Sequence, residues 1–222
     1  MTKDLQEFHI NVPFIAIEGN IGAGKTTLSQ RLAQDLNARL ILEQFTDNPF
    51  LPFFYENPER YAFPVELFFM TERHKQLQEE FSNTNLFQPV TVSDYFFLKT
   101  LLFAKNNLNA EEYRLFKRLF NTLNNSFAKP DLLIYLHRPV DTLIKQIENR
   151  GRSFESQIKT DYLETLQKAY FDYFETQPTF PILVIHAAAL DFKDSSEHYH
   201  WLLGQLEKPY QPGIYHLQPG QE

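Results

Sequence analysis

Residues 19–26 read Gly19-Asn20-Ile21-Gly22-Ala23-Gly24-Lys25-Thr26 and fill the pattern G-x-x-x-x-G-K-[ST] completely. Each residue type has a chemical reason to be there. Glycines let successive backbone N–H groups turn inward around phosphate oxygens without Cβ clashes. A helix that begins at the lysine adds its partial positive charge. Lys25 can neutralise β- and γ-phosphates, Thr26 can offer a hydroxyl to Mg²⁺, and Thr27 continues the cradle. The apolar run FIAI (14–17) precedes the loop, and Leu28, Leu32 and Leu36 follow at the spacing of one helix face. A nucleotide phosphate site is expected. The loop alone names no reaction, because GTPases, motor ATPases and small-molecule kinases share it. The chain has no N-K-x-D stretch and no L-S-G-G-Q stretch, and it is short for a motor.

Two acids stand where strands are expected to end. Glu43 closes RLILE (39–43), and Asp94 closes PVTVSD (89–94). One could accept the proton of an attacking hydroxyl while the other holds the water shell of a metal ion. Each could equally be a solvated strand end or the N-cap of the next helix. Further on, NRGRSFE (149–155) sets Arg150, Arg152 and Glu155 close together. Two arginines in a short loop suit a lid that clamps transferring phosphates, although a basic helix end complementing the macrodipole has the same composition. The seven histidines show no metal-ligand spacing, so zinc is not expected.

These residues need a scaffold that brings strand ends together. Strands are expected at 14–17, 39–43, 89–94, 131–136 and 182–186. Helices are expected from Lys25 to Leu36, over 58–82, across 95–127 with a break near Asn106–Asn109, from Val140 to Arg150, and over 159–177 and 195–206. Apolar strands alternating with helices imply an α/β fold: a five-stranded parallel sheet with helices on both faces, and ligands at the carboxyl ends of the strands. A chain of 222 residues supports one such domain, placed at 1–207. Residues 208–222, rich in Pro, Gly and Gln, read as an irregular tail. A net charge of −7 argues against binding to nucleic acid or to a membrane surface. No apolar run is long enough to span a membrane, the first residues have no apolar core of a signal peptide, and cysteine is absent. A cytoplasmic location is expected.

With these features in place, the sequence resembles the deoxyribonucleoside kinase family over about residues 12–206. It is most similar to the bacterial deoxyadenosine/deoxyguanosine kinases, which are related to deoxycytidine kinase and thymidine kinase 2. ILEQF carries Glu43 where the family has its general base, and FYENPERYAFPVELFF resembles the segment lining the nucleoside pocket. The resemblance implies a P-loop kinase fold with a short lid, ATP as donor, Mg²⁺ held by Thr26 and Asp94, and a homodimer. It implies that Tyr55 and Glu155 bond the sugar 3′-OH, that Phe103 stacks on the base, and that Lys25, Arg150 and Arg152 hold phosphate. The helix containing FFLKTLLFAKNNL offers either core or a dimer seam.

The departures from the family are chemically specific. Glu66 replaces the glutamine that usually reads the base, and a carboxylate only accepts hydrogen bonds. That suits guanine, whose edge presents two adjacent donors. The alternative is that Glu66 is a surface residue of a long helix. Arg73 lies two turns further on the same face, matches a family arginine beside the base pocket, and accompanies purine or cytosine preference there. Ser93-Asp94-Tyr95 replaces the family's E/D-R-S, so its arginine is missing, and Gln146 stands where another arginine is common. The expected activity is ATP-dependent phosphorylation of a deoxyribonucleoside, purine preferred, at the 5′-hydroxyl. A monophosphate kinase of thymidylate kinase type would need a basic acceptor pocket, whereas Glu43, Glu66 and Glu155 are acidic. A non-enzymatic nucleotide-binding regulator would need no base.

Overall fold

In the computed structural model, residues 10, 12–44, 48–82, 88, 90–124, 127–152, 155, 157–176 and 179–220 are described. Six strands form one sheet in the order β2-β3-β1-β4-β5-β6, and every neighbouring pair is parallel. They are β1 (Phe14–Gly19), β2 (Arg39–Ile41), β3 (Thr91–Ser93), β4 (Leu132–His137), β5 (Pro181–His186) and β6 (Gly213–Leu217). The three central strands are apolar on both faces, as a sheet covered twice requires. Ile15 and Ile17 of β1, with Leu132, Ile134 and Leu136 of β4, enter one core. Phe14 and Ala16, with Leu133 and Tyr135, enter the other. This period of two places helix α1 (Lys25–Asp35), α6 (Val140–Arg150) and α8 (Ser196–Leu206) against the first core. Helices α3 (Pro58–Ser82), α4 (Lys99–Asn107), α5 (Ala110–Asn124) and α7 (Thr160–Thr176) pack on the second.

The sheet has one more strand than its sequence indicates. β6 falls inside the segment read as an irregular tail, where Gly213–Leu217 pairs with Pro181–Ile185 of β5. As an edge strand it has one hydrogen-bonded neighbour, and its residues are only half-buried. The polar residues around it therefore mask the short GIYHL run. A short helix, α2 (Leu51–Phe54), with Pro52 in its first turn, also has no periodic signature in sequence. The segment FFLKTLLFAKNNL is mostly core: Phe96, Phe97, Leu98, Leu102 and Ala104 are buried. Among the described residues, large apolar side chains more than a third exposed are instead Phe53 and, one turn apart on α5, Leu115 and Leu119.

α3 matters most for the site. Its buried residues include Glu66, Met70, Arg73 and Leu77, spaced four, three and four apart along one face. Glu66 is 2 % exposed and Arg73 5 % exposed, so the surface reading of Glu66 does not hold.

Candidate active site

The glycine loop joins the end of β1 to α1. Gly22 (φ +79°) and Gly24 (φ +94°) occupy left-handed backbone that side chains rarely adopt. At Gly22 a Cβ would also lie 3.0 Å from the Leu143 carbonyl oxygen and from Ile147 Cγ1 of α6. α1 begins after Gly24 with no side-chain cap, so its first N–H groups are open to an anion. Asn20 braces the loop: its Oδ1 accepts from the Ile21 N–H at 2.8 Å, and its Nδ2 donates to the Leu163 carbonyl of α7 at 2.8 Å. Lys25 folds across the loop and donates to the carbonyls of Gly19 and Asn20, each at 2.9 Å. Burial is the main influence on its ammonium group and, with the nearby Lys99 charge, lowers its pKa to about 8.

On the outer side of the loop a groove runs to the segment after β5. It is lined by Gly24, Thr27, Arg138, Gln146, Leu190 and Asp191, among others. Arg138, directly after β4, clamps its walls together. Its Nε donates to the Ala23 carbonyl at 3.0 Å, and its two terminal nitrogens donate to the carbonyls of Ala187 (2.5 Å) and Leu190 (2.8 Å). Neither Arg138 nor the 187–194 segment stands out in the sequence. The available signal was position, an arginine at the carboxyl end of a strand next to the loop strand.

On the inner side the two strand-end acids meet. Asp94 Oδ2 accepts from the Thr26 hydroxyl at 2.6 Å, and Asp94 Oδ1 accepts from the Glu43 backbone N–H at 2.6 Å. Glu43 lies two residues beyond β2 and is buried. Its Oε1 accepts from Arg73 Nε at 2.8 Å and contacts the arginine's terminal nitrogen at 2.6 Å, and its Oε2 accepts from Lys99 Nζ at 2.5 Å. Arg73 also donates to Thr100 Oγ1 at 3.0 Å. Burial alone would raise the Glu43 pKa, but Lys99 and Arg73 outweigh it and hold the carboxyl at about 2. Lys99 was not visible as a site residue in the sequence. It supplies a cation one helix turn past Ser93-Asp94-Tyr95, where the family arginine is missing. Glu18, at the end of β1, is a second unanticipated carboxyl. It accepts from the Phe96 N–H at 2.7 Å and the Tyr170 hydroxyl at 2.9 Å, and burial raises its pKa.

Between α2, α3, α4 and the loop lies a cavity. Tyr55, Glu66, Arg73, Lys99, Phe103 and Glu155 line it, and Lys25 and Arg150 reach it from the phosphate side. Glu43 sits behind Arg73 and Lys99. At the far end, Asn107 Nδ2 donates to Glu66 Oε1 at 2.6 Å, and Glu66 Oε2 is buried without a partner among the described residues. Burial raises the Glu66 pKa to about 7, with Arg73 and Asn107 working against it. Two glutamates are therefore pulled in opposite directions, Glu43 behind the cavity wall and Glu66 at its far end. At the lid, Gly151 caps α6 in left-handed backbone. Arg150 makes a two-pronged contact with Glu155 (Nε to Oε2 3.0 Å), and Arg152 approaches the same carboxylate at 3.4 Å. Ser153 and Phe154 of the lid stretch lie outside the described residues.

The sequence model named deoxynucleoside kinase matches residues 15–209. The chain belongs to the deoxynucleoside kinase family. Among its relatives is the deoxyguanosine kinase of Bacillus subtilis, 38% identical over 185 residues, covering 81% of this chain and 89% of the relative. The deoxyadenosine kinase of Lactobacillus acidophilus is 34% identical, with 82% and 88% covered. Among solved structures, deoxyadenosine kinase from M. mycoides with bound dATP superposes with a TM-score of 0.74 at 28% identity, covering 88% of this chain and 100% of that one. The resemblance read from the motifs is thus the family itself, and the protein is a nucleotide-binding kinase. This deoxynucleoside kinase has, among its described residues, no helix long and apolar enough to cross a membrane.

Proposed function

We propose that this kinase transfers the γ-phosphoryl group of ATP to the 5′-hydroxyl of a purine deoxynucleoside, giving the deoxynucleoside monophosphate and ADP. The observation that carries this reading is the acceptor cavity: Glu66 and Glu155 line it, and the cations Arg73, Lys99 and Arg150 in its wall are ion-paired to Glu43 behind them and to Glu155, so its matched charges suit an uncharged acceptor rather than a nucleotide. The relatives named deoxyguanosine and deoxyadenosine kinase support the purine preference.

Each residue has a role in this reading. The 5′-oxygen attacks the γ-phosphorus, the bond to the β-bridging oxygen breaks, and Glu43 accepts the proton of the hydroxyl. A carboxylate with a pKa of about 2 is a weak base. That suits a loose transition state, in which the nucleophile keeps its proton until late. Lys99 and Arg73 hold Glu43 ionised and aimed. Lys25, Arg150 and Arg152 neutralise charge on the group in transfer, the two arginines exchanging Glu155 for phosphate as the lid closes. Tyr55 and Glu155 hold the 3′-hydroxyl, and Phe103 stacks on the base read by Glu66 and Arg73. The loop from Gly19 to Thr27 cradles the triphosphate, and the Arg138 groove takes the rest of the donor. Thr26 and Asp94 present only oxygen atoms, the donor type Mg²⁺ takes, and two protein ligands suffice for an ion that keeps waters and phosphates. They would hold Mg²⁺, which when bound would shield the charge of the triphosphate. Exposed Leu115 and Leu119 support a homodimer, with the seam on α5 rather than α4. The acidic, cysteine-free composition supports a cytoplasmic location.

Glu43→Gln tests the reading. Turnover is expected to fall by about 10²-fold to 10⁴-fold while ATP binding, followed by calorimetry, persists. Full turnover in the variant would remove the base role from Glu43.

A further inference from the structure

Glu66 is a carboxyl group that is buried, held at one oxygen and unpartnered at the other. Asn107 sits at the end of α4, oriented with its Oδ1 towards Asn106 Nδ2 (3.4 Å) and its Nδ2 towards Glu66. The Asn107 N–H therefore keeps Glu66 Oε1 an acceptor in either charge state. Any proton that Glu66 binds goes to Oε2. The two charge states present different faces to a base. An ionised Glu66 offers two acceptors, which match the N1–H and N2–H donors of guanine. A protonated Glu66 offers one donor at Oε2 and one acceptor, which match N1 and the N6 amino group of adenine. Each wrong pairing sets donor against donor or lone pair against lone pair inside a dry cavity, where unpaired polar groups are most costly.

We propose that the charge state of Glu66, with its proton confined to Oε2 by Asn107, selects the purine: guanine when ionised, adenine when protonated. This rests on the deoxynucleoside kinase reading of the cavity. The groups around Glu66 are suited to leave it as the one that titrates. Arg73 of the same helix, Lys99 of α4 and Glu43 beyond β2 already form a closed ion-paired set. Tyr55, beside α2, and Tyr162 of α7 are pushed up by burial and stay neutral. Burial brings Glu66 itself close to neutrality, to about 7.

The test is kcat/KM for deoxyguanosine and for deoxyadenosine, at saturating Mg-ATP, from about pH 6 to about pH 8.5. This parameter reports ionisations of the ATP-bound, nucleoside-free enzyme, and titrations that affect both substrates cancel in the ratio. The ratio of deoxyguanosine to deoxyadenosine is expected to rise by up to about tenfold per pH unit. In Glu66→Gln the ratio is expected to be independent of pH, since an amide does not titrate. A flat ratio in the wild type, with both nucleosides phosphorylated, overturns the proposal and leaves the kinase reading intact. So does phosphorylation of one purine alone at every pH, or an unchanged slope in Glu66→Gln. Transfer to neither nucleoside would overturn the kinase reading and this proposal with it.

Discussion

The two sides of the catalytic cleft are built by different means. The side proposed for the donor is mostly backbone: the N–H groups of the glycine loop, the start of α1, and carbonyls of the 187–190 segment clamped by Arg138. The side proposed for the acceptor is mostly side chains, contributed by α2, α3, α4 and the lid stretch. A backbone cradle tolerates any nucleotide that carries phosphates in the right place. A side-chain cavity can discriminate by charge and by hydrogen-bond pattern. Two carboxyl groups at it diverge because of their surroundings: Glu43, behind the wall, is ion-paired to Lys99 and Arg73 and falls to about 2, whereas burial raises Glu66 to about 7 against the pull of Arg73 and Asn107.

Variants can break this contrast. The largest loss is expected from Lys25→Met, which removes the cation serving both sides: kcat should fall by about 10³-fold, measured by single-turnover transfer. Lys99→Met should cost about 10²-fold through Glu43 rather than through phosphate. The distinguishing readout is the pH profile, whose acid limb should move upward as the Glu43 pKa rises. Arg138→Ala acts on the donor side alone. The KM for ATP is expected to rise by about tenfold, while the KM for the nucleoside is unchanged, because three carbonyls of the groove lose their shared donor. The smallest effect is on stability. Glu66 binds its proton more tightly folded than unfolded, so its stabilising contribution is present below about pH 4.5 and is lost as pH rises through about 7. Glu66→Gln should therefore gain on the wild type between pH 5 and 8.5 by ~1–3 kcal/mol, read from urea melts. The Glu43 carboxyl has the opposite sign: its contribution is present above about pH 4.5 and fades as pH falls towards 2.

The same contrast governs what the sequence discloses. The donor loop is contiguous, and its chemistry needs particular residue types at fixed spacing, so residues 19–27 announce themselves. Strands β1, β4 and β5 are apolar on both faces and equally plain. β6 is hidden because an edge strand with half-buried residues carries little periodicity. On the acceptor side, Glu43 and Asp94 are legible as acids ending strands. Their partners are not: Lys99 meets Glu43 across 56 positions and Arg73 meets it across 30. In sequence, Lys99 is one basic residue in an apolar helix, and Asn107 one of several asparagines near a helix end. Tertiary packing alone makes them site residues. Family resemblance supplied Tyr55, Phe103, Glu66 and Arg73 by position, and all four line the cavity.

Turnover of ATP with each of the four deoxynucleosides, and with dTMP as a fifth acceptor, tests most directly whether the cavity holding Glu66 and Glu155 receives an uncharged purine deoxynucleoside. Product is expected with deoxyguanosine or deoxyadenosine and none with dTMP. Phosphorylation of dTMP, with no product from any nucleoside, would contradict the assignment of the acceptor side.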